Sequence, residues 1–391
     1  MKISQDPYDL EAEMTAWRHQ LHAFPEIAFQ ERETSDFLAG QLESFGLDVH
    51  RGIGGTGIVA QLLRGKSQSG AIGLRADMDA LDIQEENDLE YKSRVPGKMH
   101  ACGHDGHMAM LLGAARHLTS KGRFSGTVNF IFQPAEETGA GGRAMVEDGL
   151  FQRFPMDSVF GLHNFPTLPE GSFATRSGPL LAAFDVFDIT IKGVGGHAGG
   201  LTGNMRDPVV AASQAVVMFQ SIISRNIDPL ESAVLSVTEV KGGTTYNVIP
   251  DKVCLRGCTR HFKPHIQDLV ETRMKEVLKG LEVSMGIGTD MKYQRRCPAI
   301  VNGPKETAEA VRAASLIAGS GCVYTNISPV MNSDDFSFLL ESVPGDYMVI
   351  GAGQPRPNGL PHQPGYDFND RILSAGAGYW ISLVESLLSE R

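Results

Sequence analysis

Nine consecutive residues, Met99-His100-Ala101-Cys102-Gly103-His104-Asp105-Gly106-His107, carry one thiol, one carboxylate and three imidazoles. All of these groups can hold a divalent metal ion. A mixture of thiolate, imidazole and carboxylate suits Zn, Mn, Co or Ni better than Mg or Ca. The Cys102/His104 pair alone is a weak signal, because a structural zinc finger needs a second pair at short spacing and the chain offers none. Cys254 and Cys258 fall four apart in an alternating strand without histidine partners, and read as core or surface thiols; Cys297 and Cys322 are equally bland. The consecutive carboxylates Glu136-Glu137 separate the possibilities better. Adjacent side chains point in different directions, so one can ligate while its neighbour stays free to carry a proton. Two divalent ions about 3.5–4 Å apart can pin a water and lower its pKa towards neutrality. A free carboxylate beside that water then takes the proton and later delivers it to a leaving group.

Such groups are useful only if the fold brings them together. Helical periodicity runs over 8–24 and 31–46, and strand-like apolar runs fall at 56–63, 70–75, 126–132 and 158–162. Between them, 105–120 places Met108, Leu111, Leu112 and Ala115 on one helical face. Apolar strands separated by helices indicate an α/β sheet covered on both faces. From about 180 the rhythm changes to strand 184–193, helix 207–224, strands 232–241 and 251–260, helix 264–280 and strand 286–294. The order β-α-β-β-α-β is that of a ferredoxin-like α+β unit. After Pro298 the α/β rhythm resumes with helix 304–318, strand 346–351 and a last helix over 370–388. The expected architecture is an α/β domain built from 1–180 and 297–391, with an inserted ferredoxin-like α+β domain at 181–296.

In an open α/β sheet, ligands bind beyond the carboxyl ends of the strands. After strand 70–75 comes Ala76-Asp77-Met78-Asp79, and after 126–132 comes Gln133-Pro134-Ala135-Glu136-Glu137. His163 follows 158–162, and a Gly/Pro-rich loop after 346–351 delivers His362. Metal-competent residues thus recur at one edge of the sheet, which says more than any single motif.

Composition sets bounds on the rest. A chain of 391 residues suggests two domains. Its net charge of −11 argues against nucleic acid. Five scattered cysteines fit a reducing cytosol better than a disulfide framework. The N-terminal run MKISQDPYDLEAEM is polar and acidic, so no signal peptide is expected, and no apolar run approaches the roughly 20 residues of a membrane span. The expected setting is the cytoplasm, with no membrane and no nucleic acid as partner.

Taken together, MHACGHDGH at 99–107, QPAEE at 133–137, GLHNFP at 161–166, GGHAG at 195–199, NVIPD at 247–251 and LPHQPGYDFND at 360–370 resemble the aminoacylase/carboxypeptidase-like co-catalytic metallohydrolases. The nearest branch is that of hippurate hydrolases, auxin-conjugate amidohydrolases and N-acetyl-diaminopimelate deacetylases. The likeness runs from Arg18-His19-Gln20-Leu21-His22 to beyond His362, nearly the whole chain. It implies that Cys102, His104, Glu137, His163 and His362 hold two divalent metal ions, with Glu136 as general base and acid. It implies further that His197 stabilises the oxyanion, and that Asn247 and Arg260 contact a small N-acyl amino acid substrate. The same likeness implies a metal-binding α/β catalytic domain with the inserted ferredoxin-like domain at 181–296 as its lid and dimerisation domain, and a homodimer or higher homo-oligomer. Two departures are visible. Many relatives carry Pro-His after the GGH, where this chain has Gly199-Gly200-Leu201-Thr202-Gly203-Asn204, and Asp334 stands where Glu is common.

Other groups have blander readings. His100 and His107 are expected to support the ligands rather than ligate. His19 and His22, on a helix, are expected to be packing or hydrogen-bonded residues, and His50, His117, His261 and His265 to lie at the surface. Asp77 and Asp79 fit either a supporting role near the metal or helix capping, and Asp105 could orient an imidazole. Three rival readings remain: a dipeptidase or exopeptidase on the same scaffold, a Cys102 nucleophile with His104 or His163 as base, and a non-catalytic amino-acid-conjugate binding protein.

Overall fold

The computed structural model describes residues 10–65, 70–200, 202–353 and 359–389. The start of the N-terminal run (1–9), Leu201 of the departing stretch and part of the loop leading to His362 (354–358) lie outside the described residues. The chain divides into two compact units, one of Met1–Leu180, Ile300–Pro329 and Asp334–Arg391, the other of Leu181–Ala299 with Val330–Ser333.

The first unit is organised by an eight-stranded sheet in the order Asp48–Ile53, Gly57–Arg64, Gly126–Gln133, Ala71–Asp77, Ser158–Phe165, Gly345–Gly351, Phe173–Thr175, Val323–Thr325. Its centre, from Gly126–Gln133 to Gly345–Gly351, is parallel. Strands there are buried almost throughout, as Ser158–Phe165 and Gly345–Gly351 show, which is what a sheet covered on both faces requires. Helix His104–Lys121 is buried nearly all round and packs with Leu373–Leu387 and Glu11–Ala23 in the main core. Parallel strands share one carboxyl edge, so Asp77, Gln133 and His163 emerge side by side.

The second unit is a four-stranded antiparallel sheet, ordered Ala233–Lys241, Lys252–His261, Ala183–Lys192, Gly288–Cys297, with helices Pro208–Asn226 and Pro264–Met285. Phe187, Ile189, Ile191, Leu235, Val253 and Leu255 form its core with those helices. Asp207 caps the first helix by accepting from the backbone N–H of Val209 and Val210. This is the ferredoxin-like arrangement expected of the inserted segment.

Two surface expectations fail. His117 and His261 are buried. His261 shares the inward parity of Val253, Leu255 and Thr259 on its strand and meets Asp185, so its polarity misleads where the alternation does not.

The buried Asp346 offers a test of the first core. One carboxylate oxygen accepts from Thr307 Oγ1 at 2.7 Å and Thr175 Oγ1 at 3.0 Å, while Oδ2 has no partner. Burial pushes its carboxyl up to about 7, from an ordinary value of 3.8. The folded chain therefore binds the extra proton between those values, and stability falls as pH rises from about 4 to about 7. Asn cannot titrate. The melting temperature of Asp346→Asn relative to the unsubstituted chain is expected to climb by a few degrees between pH 5 and pH 8; a pH-independent difference would contradict this.

Candidate metal centre

Five segments of the first unit supply the site, one of them the loop that carries His362. Strand Ala71–Asp77 ends in Asp77, with buried Asp79 just beyond. Helix His104–Lys121 opens on His104, preceded by Gly103 at φ +94. A Cβ on Gly103 would fall 2.4 Å from Asn164 Oδ1, so this left-handed, crowded turn admits glycine only. It lets Cys102 and His104 face one point. After Gly126–Gln133, Ala135 adopts φ +53 and the chain turns so that Glu136 and Glu137 follow. His163 lies within Ser158–Phe165 rather than after it, because that strand runs on to Phe165.

Cys102, His104 and Glu137 form one group of potential ligands. His104 Nε2 lies 3.8 Å from Glu137 Oε1, and both atoms are buried with no hydrogen-bond partner. That separation is too long for a hydrogen bond, but donors each about 2.0–2.3 Å from a common ion sit at such spacing. His362 joins the group, with Nε2 3.5 Å from Glu137 Oε1, and Cys102 Sγ lies 3.6 Å from His163 Nε2. The rings of His104 and His362 also lie close enough to act on the Cys102 thiol, so its sulfur is central to the set. The structure thus brings together all five expected ligands. A bimetallic centre fits them: unpaired buried donors converge, and their softness matches transition metals.

The carboxylates around them have distinct tasks. Asp79 accepts the backbone N–H of Glu136 at Oδ1 and of Glu137 at Oδ2, each at 3.0 Å, which fixes the acidic pair; its C=O lies 2.8 Å from His104 Nδ1. That contact places the His104 proton on Nδ1 and leaves Nε2 free for a metal. Asp77 binds His107 Nδ1 at 2.6 Å, and the other ring nitrogen of His107 is spent on Asn164. His107 is therefore a buttress, although Asp77, His104, His107 and His163 also lie close enough to be counted as a ligand group. His100 is buried with neither ring nitrogen partnered. Asp105 orients an imidazole, that of His22 at 2.8 Å.

Glu136 stays outside the Cys102 group and gathers with Asp334 and Asp335. Burial, then the Asp334 and Glu137 charges, push its carboxyl well above the usual range. Glu137 moves the other way: burial opposes ionisation, but the neighbouring His362 and His104 imidazoles hold it low. Two neighbouring carboxyls with opposed tendencies are the pattern of a proton carrier beside a ligand. Burial and the Glu137 charge push the Cys102 thiol up, the reverse of what an activated nucleophile needs.

Arg75 escapes notice in the sequence. Fully buried, it donates to Asp77 at 2.7 Å, to Asp334 at 3.1 and 3.3 Å, and to Gln133 at 3.0 Å. Tyr347 adds a hydroxyl to Asp334 at 2.7 Å. A charged residue inside an apolar strand and two before an aspartate was the available signal. Asn164 and Tyr366, bonded to each other behind Gly103, gave none.

In the second unit, strands Gly196–His197 and Val248–Ile249 pair, with His197 opposite Val248, and Ala198 N–H donates to Asn247 C=O. His197 and Asn247 are thereby neighbours. Gly199 N–H donates to His197 Nδ1 at 3.1 Å, which leaves the ring proton on Nε2. Arg260 lies elsewhere in this unit, its guanidinium 4.0 Å from the Phe184 ring centroid and donating to Ser333 Oγ at 2.6 Å.

Residues 73–386 match the model of peptidase family M20/M25/M40. A hippurate hydrolase of Campylobacter jejuni is 38% identical over 383 residues, covering 98% of each chain. An N-acetylcysteine deacetylase of Bacillus subtilis is 37% identical over 377 residues, covering 95% of this chain and 96% of its own. Among solved structures, the YxeP protein of Bacillus subtilis, a dinuclear metal-binding peptidase, superposes with a TM-score of 0.83 at 32% identity, covering 97% of this chain and 99% of its own.

Proposed function

The chain belongs to peptidase family M20/M25/M40, and from that premise we propose that it is a metal-dependent amidohydrolase. It cleaves the amide bond of N-acyl amino acids, such as N-acetyl or N-benzoyl conjugates, to a carboxylate and a free amino acid. The hydrolysis of such conjugates by the hippurate hydrolase and the N-acetylcysteine deacetylase, as their names state, supports the substrate class. The observation that carries the chemistry is the buried, unpartnered His104 Nε2 and Glu137 Oε1 converging with Cys102, while Glu136 stands free beside them.

When bound, a pair of divalent ions polarises the scissile carbonyl and makes water a nucleophile near neutral pH. Zn, Mn, Co or Ni is the proposed identity, held by Cys102, His104, Glu137, His163 and His362. Glu136 takes the proton of the attacking water and gives it to the amide nitrogen as the C–N bond breaks, so one carboxyl serves both halves of the reaction. Asp79 keeps Glu136 and Glu137 in register for this division of labour. His197 is proposed to donate its Nε2 proton to the oxyanion, which the Gly199 contact supports. Asn247 and Arg260 are proposed to hold the substrate, Arg260 by its planar fork on a carboxylate. Residues 181–296 are proposed as a lid and dimerisation domain of a homodimeric enzyme. No described helix is long and apolar enough to cross a membrane, and a cytoplasmic setting is proposed on the cysteine usage.

Dialysis against a strong chelator, then assay on a panel of N-acetyl amino acids, N-benzoyl amino acids and dipeptides, tests this reading. Activity is expected on the N-acyl substrates, to fall at least about a hundredfold on chelation, and to return with a transition metal. Activity that survives metal removal and is abolished by alkylation would favour a thiol mechanism instead. A preference for dipeptides would move the substrate class.

A further inference from the structure

The motif Arg18-His19-Gln20-Leu21-His22 on helix Glu11–Ala23 has no task in the chemistry described so far. Arg18 is fully buried, an expensive place for a guanidinium unless several carboxylates meet it. Three do, and they come from two distant parts of the chain. Nε donates to Asp105 Oδ2 at 2.9 Å, Nη2 donates to Asp367 Oδ1 at 2.6 Å, and Nη1 lies 3.4 Å from Asp370 Oδ1. Asp105 directly follows the proposed ligand His104, and Asp367 lies on the segment that carries the proposed ligand His362. One rigid fork therefore spans both ligand-bearing segments.

The His362 segment has little regular structure of its own to hold it. His362 sits at φ +64, a left-handed conformation that costs a residue with a Cβ and persists only when surroundings impose it. Those surroundings can be named. His362 N–H donates to Ala101 C=O at 2.7 Å, and Glu86 N–H donates to Pro364 C=O at 2.9 Å. Asn87 Nδ2 donates to Tyr366 C=O at 2.8 Å, and the Tyr91 hydroxyl donates to Asp367 at 3.1 Å. Of these ties, Arg18 alone joins the segment by charge to the helix start that presents His104, and its guanidinium also lies 4.7 Å from the Tyr91 ring centroid. His22 braces the same junction between Asp105 and Glu85.

We propose that Arg18 is a positioning residue of the metal centre: it fixes the spacing between the Cys102/His104 corner and the His362 segment, so that thiol, Glu137 and His362 converge. The inference rests on the metallohydrolase reading for its ligands but needs no substrate and no turnover. Of the two ions, the one that depends on His362 should feel the loss of Arg18, and the other should not.

The experiment strips metal from the full chain and titrates it with Co²⁺ alone, by calorimetry and by the thiolate-to-cobalt absorption that reports Cys102. Arg18→Lys keeps the charge but loses the fork. One binding event is expected to stay within about twofold and the other to weaken by at least about tenfold, the usual size of effect for a partner that orients a ligand. Asp367→Asn, which leaves the Asp105 contact in place, is expected to show the same split, and it decides alone if Arg18→Lys does not fold. Two unaltered affinities in a folded variant would overturn the proposal. So would an equal loss at both events, which marks a merely structural role. If the unsubstituted chain took up no Co²⁺, the metallohydrolase reading would fall with it; failure in the variants alone leaves that reading standing.

Discussion

Glu136→Gln is expected to lower kcat by about 10²–10⁴-fold while the protein keeps both metal ions, because general acid–base catalysis is worth that much and Gln cannot carry the proton. The division between Glu136 and Glu137 makes the expectation sharp. Asp79 holds both backbones in place through their N–H groups, so a Gln side chain inherits the same position. Glu137, not Glu136, shares the donor group with Cys102 and His104, so metal content should not follow the loss of activity. Measured by metal analysis and turnover on one N-acyl amino acid, a metal-replete variant with more than about a tenth of normal kcat would remove Glu136 from the chemistry.

Arg75→Met should unfold the site from beneath. Met has similar length and no charge, so it leaves Asp77, Asp334 and Asp335 buried and facing one another without a cation. Removing one partner of a buried ionic network costs about 3–5 kcal/mol, here a fall in melting temperature of roughly 5–10 °C. The sign of its pH dependence follows. Burial already pushes Asp335 up to about 8, against the pull of Arg75, so removing that pull raises it further. A carboxyl whose folded pKa is raised destabilises increasingly as pH climbs through the window. The unsubstituted chain keeps this proton up to about pH 8, so the deficit should widen above that pH and be larger at pH 9 than at pH 7, and Arg75→Lys should recover part of it. Equal melting curves for Arg75→Met and the unsubstituted chain would show that the carboxylates find other compensation.

The five proposed ligands were legible because their chemistry is rare; four lie at or near a strand end or a helix start, and His362 was read from the Gly/Pro-rich loop that follows strand Gly345–Gly351. Asp79 was half legible, as a group near the metal whose clamp on two consecutive N–H groups depends on a turn that periodicity does not encode. Asn164 and Tyr366 were not legible at all, since ordinary residue types take their meaning from a partner 202 positions away. Among the strands, Phe173–Thr175 and Val323–Thr325 span three residues each, too few for alternation to show. His261 was misjudged because residue type was weighed above strand parity. His117 was misjudged because helix His104–Lys121 buries almost every side, leaving no solvated face to which a polar residue could be assigned.

Strand Gly345–Gly351 pairs in parallel with Ser158–Phe165, although the whole segment Leu181–Ala299 is synthesised between them. On the ribosome, at about 5–20 residues per second, the first of these strands emerges many seconds before its mate and must wait with one edge bare. The inserted segment, whose four-stranded sheet is paired within itself, is free to fold during that interval. His362 is made later still. With His362 as a proposed ligand, completion of the metal centre would be deferred to the end of translation, and a chain truncated before Gly345 would be both an unfinished sheet and a magnet for aggregation.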